Sequence, residues 1–219
     1  MHVRQEVEGR TVVDSRVVQI LEKIVGPLTR ENALSWLQSL VIAVALALFI
    51  RHFFFEPFRI PSGSMEPTLL IGDKILVNKC ILGMRVPFTF KKFLIPRTPA
   101  RGDIVVFRFP DGERKDIVKR VVGLPGERIK ISDEGHILVN GEPVKEPPFM
   151  VDNMYYNHST YGPYATTREV TVPEGSYFLL GDNSKHSKDG RARGFVPLSH
   201  IKGRVVCVWW PPWRARKIR

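Results

Sequence analysis

The hydrophobic pattern divides the chain into three stretches. Residues 1–32 mix charges with Val17, Val18, Ile20, Leu21, Ile24 and Val25, a spacing that fits a short amphipathic helix stopped by Gly26-Pro27. From Ala33 to Ile50 the run ALSWLQSLVIAVALALFI carries no formal charge. Beyond Pro57 the apolar positions fall into short β-branched runs separated by turns. Ile75 to Val77, Asp103 to Phe109, Ile117 to Val122, Ile129 to Ile131, Ile137 to Val139, Tyr177 to Leu180 and Arg204 to Trp210 are expected to be strands. Ser132-Asp133-Glu134-Gly135 is expected to be the loop of a hairpin between two of them. The fold class is therefore mostly β, a β-sheet domain preceded by one N-terminal helix.

The uncharged run has the length of a bilayer crossing, about 20 residues, if Leu34 to Phe54 is counted and Arg51 snorkels towards the headgroups. Trp36 suits an interface. The expected organisation is an N-terminal segment 1–32, a transmembrane anchor 33–55 and a β-rich domain 56–219. The run starts too late and is too long to be expected as a removable targeting sequence. Within twenty residues on either side, Arg16, Lys23 and Arg30 precede it, while Arg51 and Arg59 follow. Three charges against two do not orient it.

Charge changes this picture little. The chain has 33 Lys and Arg against 22 Asp and Glu, a net charge of +11. Such an excess suits nucleic acid or an anionic membrane surface. The basic residues are scattered, without a zinc finger or helix-turn-helix pattern, so the apolar run favours lipid, and no nucleic-acid partner is expected. Pro87 to Pro99 and the end of the chain, Trp209-Trp210-Pro211-Pro212-Trp213 with Arg214, Arg216, Lys217 and Arg219, suit the headgroup region. Core tryptophans followed by a solvated tail would read the same way. Cys80 and Cys207 are too few for a disulfide scaffold, and their spacing leaves pairing open. The six His form no ligand-spaced cluster.

Three loops or strands carry candidate chemistry. Pro61-Ser62-Gly63-Ser64-Met65-Glu66-Pro67 can hold Ser64 in a fixed direction, with Gly63 permitting close backbone approach. A serine hydroxyl needs a base. Lys119 lies in Asp116-Ile117-Val118-Lys119-Arg120-Val121-Val122, where alternation sets Ile117, Lys119 and Val121 on one face. Desolvation there would lower its pKa; Arg120 cannot serve, because guanidinium stays protonated. Gly181 to Arg191 is dense in donors and acceptors: Ser187 can hold the lysine amine, and Asp189 can pair with Arg191. The rival is a triad of Ser64 and His186 with Asp182 or Asp189, but neither the α/β alternation nor the G-x-S-x-G elbow that accompanies such an order is present.

Taken in order, Ser62-Gly63-Ser64-Met65-Glu66-Pro67-Thr68-Leu69, Arg101-Gly102-Asp103 to Phe107, Lys119-Arg120-Val121-Val122-Gly123-Leu124-Pro125-Gly126, Gly181-Asp182-Asn183-Ser184 to Arg191 and Gly194-Phe195-Val196-Pro197 resemble the bacterial type I signal peptidases. The resemblance runs from the apolar segment to about Arg204. It implies a membrane-bound serine endopeptidase with Ser64 as nucleophile and Lys119 as general base. It further implies an oxyanion hole from the Ser62 hydroxyl and the Ser64 backbone N–H. Ser187 would orient the lysine, and Asp189 and Arg191 would form a structural ion pair. Where this chain has Gly190 the family often has Ser, so any bond from that hydroxyl is absent. Tyr155 to Arg168 matches no motif.

From the same resemblance, the substrates are signal-peptide-bearing preproteins with small residues before the cleaved bond. The catalytic domain is expected outside the bacterial cytoplasmic membrane and residues 1–32 inside, as a monomer touching anionic lipid, without metal or organic cofactor. Two other readings share features. The Ser–Lys self-cleaving repressors have a Ser-Met element and a strand lysine but require a soluble DNA-binding domain. A catalytically silent membrane assembly factor would make Ser64 and Lys119 dispensable.

Overall fold

The computed structural model describes residues 30–82, 84–85, 92–93, 97–112, 115–165 and 168–218. The amphipathic helix expected before Gly26 and most of the Pro87 to Pro99 segment lie outside these residues. The chain divides into two compact units, Met1–Leu48 and Phe49–Arg219.

One helix spans Arg30–Phe53. Its Ala33–Arg51 stretch is long and apolar enough to cross a membrane, and none of its residues is buried. The Ser39 hydroxyl donates to the Ser35 carbonyl at 2.9 Å, which satisfies a polar group that hydrocarbon could not. The helix stops short of Pro57, which lacks an N–H and disfavours helix in the residue before it. Phe55, counted above with the apolar segment, instead opens the first strand.

The strands are β1 Phe55–Arg59, β2 Lys74–Asn78, β3 Met84–Arg85, β4 Lys92–Phe93, β5 Ile104–Phe107, β6 Ile117–Gly123, β7 Arg128–Ile131, β8 Ile137–Val139, β9 Glu142–Pro143, β10 Val170–Thr171, β11 Ser176–Leu180, β12 Phe195–Pro197, β13 Ile201–Trp210 and β14 Arg216–Lys217. Among the described residues the main sheet has the order β1-β2-β13-β5-β6-β11-β12, with β14 against β13. Its pairings are antiparallel. A smaller sheet runs β10-β7-β8-β9, and β3 pairs with β4. All seven runs expected as strands form them. The 132–135 loop joins β7 to β8, closed by Ser132 N–H to His136 O at 2.8 Å, with Gly135 at φ +88.

Alternate residues of β5 enter different cores. Ile104 and Val106 join Ile60, Met65, Leu69, Ile75, Val77 and Val205. Val105 and Phe107 join Val121, Tyr177 and Leu179. A strand covered on both faces is apolar throughout, which explains its unbroken IVVF run. A third core ties the two sheets together through Val122, Phe178 and Leu180 against Ile129, Ile131, Ile137 and Tyr155.

Two features of the main sheet matter for the site. β1 is its edge strand, which is where Pro57 is tolerated. β11 pairs with only the second half of β6, from Arg120 to Gly123. The first half, Ile117 to Lys119, pairs with β5 alone among the described residues.

Candidate active site

Ser64 sits in a short 3-10 turn, Gly63–Met65, just beyond β1. The buried side chains of Met65 and Leu69 root this turn in the first core. A Cβ on Gly63 would lie 2.9 Å from the Glu66 carboxylate, so glycine lets the turn fold over that side chain. From β6, Lys119 reaches the same point, and its Nζ lies 2.5 Å from Ser64 Oγ. A protonated amine donates across this distance; a neutral one accepts the serine proton.

Lys119 is only 3% exposed. Burial pushes its pKa down from the usual 10.5 to about 8; the nearby Asp189 and Asp182 charges oppose the shift, and Arg191 adds to it. Desolvation therefore wins. The amine is half neutral at about pH 8, within reach of neutral pH, as a lysine base requires.

The loop from Gly181 to Arg191 closes around this pair. A Cβ on Gly181 would lie 2.1 Å from Ser187 Oγ and 2.5 Å from Ser64 O. Only glycine fits there without displacing both. Asp189 accepts from Gly181 N–H at 3.0 Å and from the Arg191 guanidinium at 3.0 Å through both carboxylate oxygens. Both partners are fully buried. Arg191 also donates to Tyr156 O at 2.7 Å, Ser184 Oγ at 2.8 Å and Ser184 O at 2.7 Å. Buried guanidinium is tolerated only when its donors are met in this way.

The segment without a motif thus has a structural place. Tyr156 receives an Arg191 donor, and Tyr164 N–H donates to Arg191 O at 3.0 Å. Gly162 lies so close that a Cβ would meet Ala192 Cα at 2.4 Å. Its positive φ and this close approach leave no periodic pattern for a sequence to display.

The other candidates are placed as follows. Ser187 is buried beside the pair, and its Oγ has no hydrogen-bond partner among the described residues. Ser62 is exposed and lines the same groove as Ser64 and Lys119. At Gly190 a Cβ would meet Leu179 O at 2.8 Å and the Phe178 ring at 2.9 Å, so packing here opposes a serine. His186 is exposed, and its Nδ1 lies 3.3 Å from Asn183 Oδ1. The carboxylates that a triad would need are both engaged by arginines, Asp182 by Arg120 and Asp189 by Arg191.

The Arg120–Asp182 pair escaped sequence reasoning, although an arginine inside an apolar strand was a usable signal for a buried ion pair. Asn183 also went unassigned; its contacts are to the backbone carbonyls of Gly63 and Ser64. The groove in front of Ser64 has a volume of about 430 Å³, with Phe58, Ile60, Met65, Val106, Ile117 and Val118 among its lining.

Residues 33–210 match the family described as signal peptidase, peptidase S26. The chain is 35% identical over 228 residues to a signal peptidase I of Pseudomonas fluorescens, a match covering 90% of this chain and 78% of that protein. It is 37% identical over 229 residues to a signal peptidase I of Pseudomonas aeruginosa, with the same two coverages. A crystal structure of a signal peptidase I from Enterococcus faecalis is 34% identical, with a TM-score of 0.38, covering 49% of this chain and 97% of that one. With an apolar N-terminal helix, a β-sheet domain and a serine facing a desolvated lysine, the chain belongs to the signal peptidase, peptidase S26, family and is a serine endopeptidase.

Proposed function

We propose that this enzyme removes signal peptides from exported preproteins at the membrane surface, with Ser64 as nucleophile and Lys119 as general base. The observation that carries the assignment is the 2.5 Å approach of a buried Lys119 amine to Ser64 Oγ. Neutral Lys119 takes the hydroxyl proton as Ser64 attacks the scissile carbonyl, then passes it to the leaving amine. The developing oxyanion meets the Ser64 backbone N–H and the Ser62 hydroxyl, each worth about 3 kcal/mol in a preorganised site. Lys119 then activates water against the acyl-enzyme. Ser187 steadies the lysine from its buried position, and the Asp189–Arg191 pair holds the loop.

The substrate lies extended between the open edge of β1 and the Ile117–Lys119 half of β6. Strand addition of this kind presents alternate side chains to one wall. Phe58, Ile60, Met65, Val106 and Val118 supply an apolar wall close to Ser64, which supports a preference for small residues before the cut bond. The helix holds the enzyme in the bilayer, with residues 1–32 on the cytoplasmic side and the domain from residue 56 outside. Trp209, Trp210 and Trp213 are exposed, and Lys74 Nζ stands over the first two rings at 5.3 and 5.4 Å. Indoles beside cations suit contact with anionic lipid. The enzyme acts as a monomer.

The reading is tested with a preprotein series carrying Ala, Leu, Phe or Asp at the position before the cleaved bond. Cleavage should be strong for Ala and weak for Phe and Asp; equal rates across the series would contradict the small-pocket assignment.

A further inference from the structure

Two hydrogen bonds from Asn183 grip the peptide units on either side of the Ser64 Cα. Its side-chain Nδ2 donates to Gly63 O at 3.0 Å, and its backbone N–H donates to Ser64 O at 3.1 Å. A carbonyl can only accept, so the amide group must turn its nitrogen towards Gly63. Its Oδ1 then faces His186 Nδ1 at 3.3 Å. The Gly63–Ser64 peptide bond is trans. In a planar trans peptide the C=O and N–H point in opposite directions. Holding Gly63 O towards Asn183 therefore aims the Ser64 N–H away from Asn183. Asn183 lines a recess with Glu66, Pro67 and Tyr156, and it takes no part in lining the groove that contains Ser62, Ser64 and Lys119. Inside the turn, Glu66 N–H also donates to Gly63 O at 3.1 Å, so this carbonyl accepts two bonds, and glycine, which tolerates either orientation of the peptide plane, gains a second restraint from Asn183.

We propose that Asn183 is a positioning residue for the oxyanion hole, fixing the Gly63–Ser64 peptide plane so that its N–H meets the substrate oxyanion. The inference rests on Ser64 being the nucleophile. Without the Asn183 amide, Ser64 and Lys119 still meet, but only the Glu66 N–H restrains the peptide plane, and the Ser64 N–H is held less firmly. Transition-state binding is lost while substrate binding and the lysine base remain.

The test compares full-length wild type, Asn183→Ala and Asn183→Asp in detergent micelles on one preprotein. A peptide aldehyde ending in Ala serves as the second probe. Ser64 Oγ adds to its carbonyl carbon, the serine proton is taken up by Lys119, and the resulting oxyanion occupies the hole. In Asn183→Ala, kcat should fall on the order of 10-fold, less than complete loss of a donor because the Glu66 N–H still restrains the plane and the Ser62 hydroxyl remains. The aldehyde inhibition constant should rise by a similar factor, with KM and the pH of the alkaline rise unchanged. Asn183→Asp should lose more, because a carboxylate oxygen would face the Gly63 carbonyl. Titration of reactive Ser64 counts only folded sites. The proposal is overturned if both variants keep kcat within about twofold, or if kcat falls while aldehyde affinity stays constant. It is equally overturned if a smaller titratable fraction accounts for the loss. Ser64→Ala run alongside separates the two levels: cleavage by that variant would remove the nucleophile assignment itself.

Discussion

Arg120 and Asp182 form a two-pronged buried ion pair, Nε to Oδ1 at 2.8 Å and Nη2 to Oδ2 at 2.6 Å, immediately beside Lys119 in the sequence. Two basic residues on one strand thus do opposite work. The guanidinium is permanently charged and fully met, by Asp182 and by Gly102 O at 2.8 Å. The amine is stripped of solvent and meets a hydroxyl.

Removing one partner of such a pair leaves a buried charge uncompensated, which typically costs roughly 3 to 5 kcal/mol. Asp182→Asn should therefore lower stability by about that amount in denaturant titration. Because the Asp182 charge raises the Lys119 pKa, the variant should also begin to gain activity at lower pH than wild type. A profile displaced to higher pH would contradict this electrostatic account.

Wild-type kcat/KM should climb through about pH 8, where Lys119 loses its proton. His186→Ala should leave that climb where it is, since His186 is exposed and outside the dyad. A pH series of initial rates on one preprotein decides between the two groups.

The same depressed pKa destabilises the fold. Between about pH 8 and 10.5 the unfolded chain holds the Lys119 proton while the native state has released it, so this group makes stability rise with pH across that window. Below it the penalty is complete, about 3 kcal/mol. Lys119→Met should accordingly be more stable than wild type at pH 7, with the advantage shrinking as pH approaches 10.5. Equal melting temperatures at both pH values would contradict a desolvated lysine.

Gly181→Ala tests how tightly the loop is fitted to the pair. The added methyl would collide with both Ser187 Oγ and the Ser64 carbonyl. Activity should fall by at least about 100-fold while far-ultraviolet circular dichroism stays native, because overpacking displaces neighbours by fractions of an ångström.

How much of this was legible beforehand depended on the length and regularity of each element. β5 announced itself through an unbroken apolar run, β6 through β-branched residues on both sides of Lys119-Arg120, and the helix through an uncharged run long enough to cross a bilayer. β9, β10, β12 and β14 did not: unlike the equally short β8 with its Ile-Leu-Val run, none of them is aliphatic throughout, and two contain Pro197 or Pro143. Ser64 and Lys119 are 55 positions apart; motif resemblance could pair them, whereas periodicity could not. Alternation along β6 also gave no indication that Lys119 and Arg120 are both buried, because that strand is covered on both faces. The contacts by which Asn183 holds Ser64, and those of Gly162, are to backbone atoms, which sequence patterns do not encode.

The dyad is tested most directly by cleavage of a membrane-inserted preprotein by full-length Ser64→Ala and Lys119→Ala, each verified as folded by circular dichroism. The account predicts no product from either variant under conditions where wild type converts the substrate fully. Near-wild-type cleavage by either folded variant would contradict it.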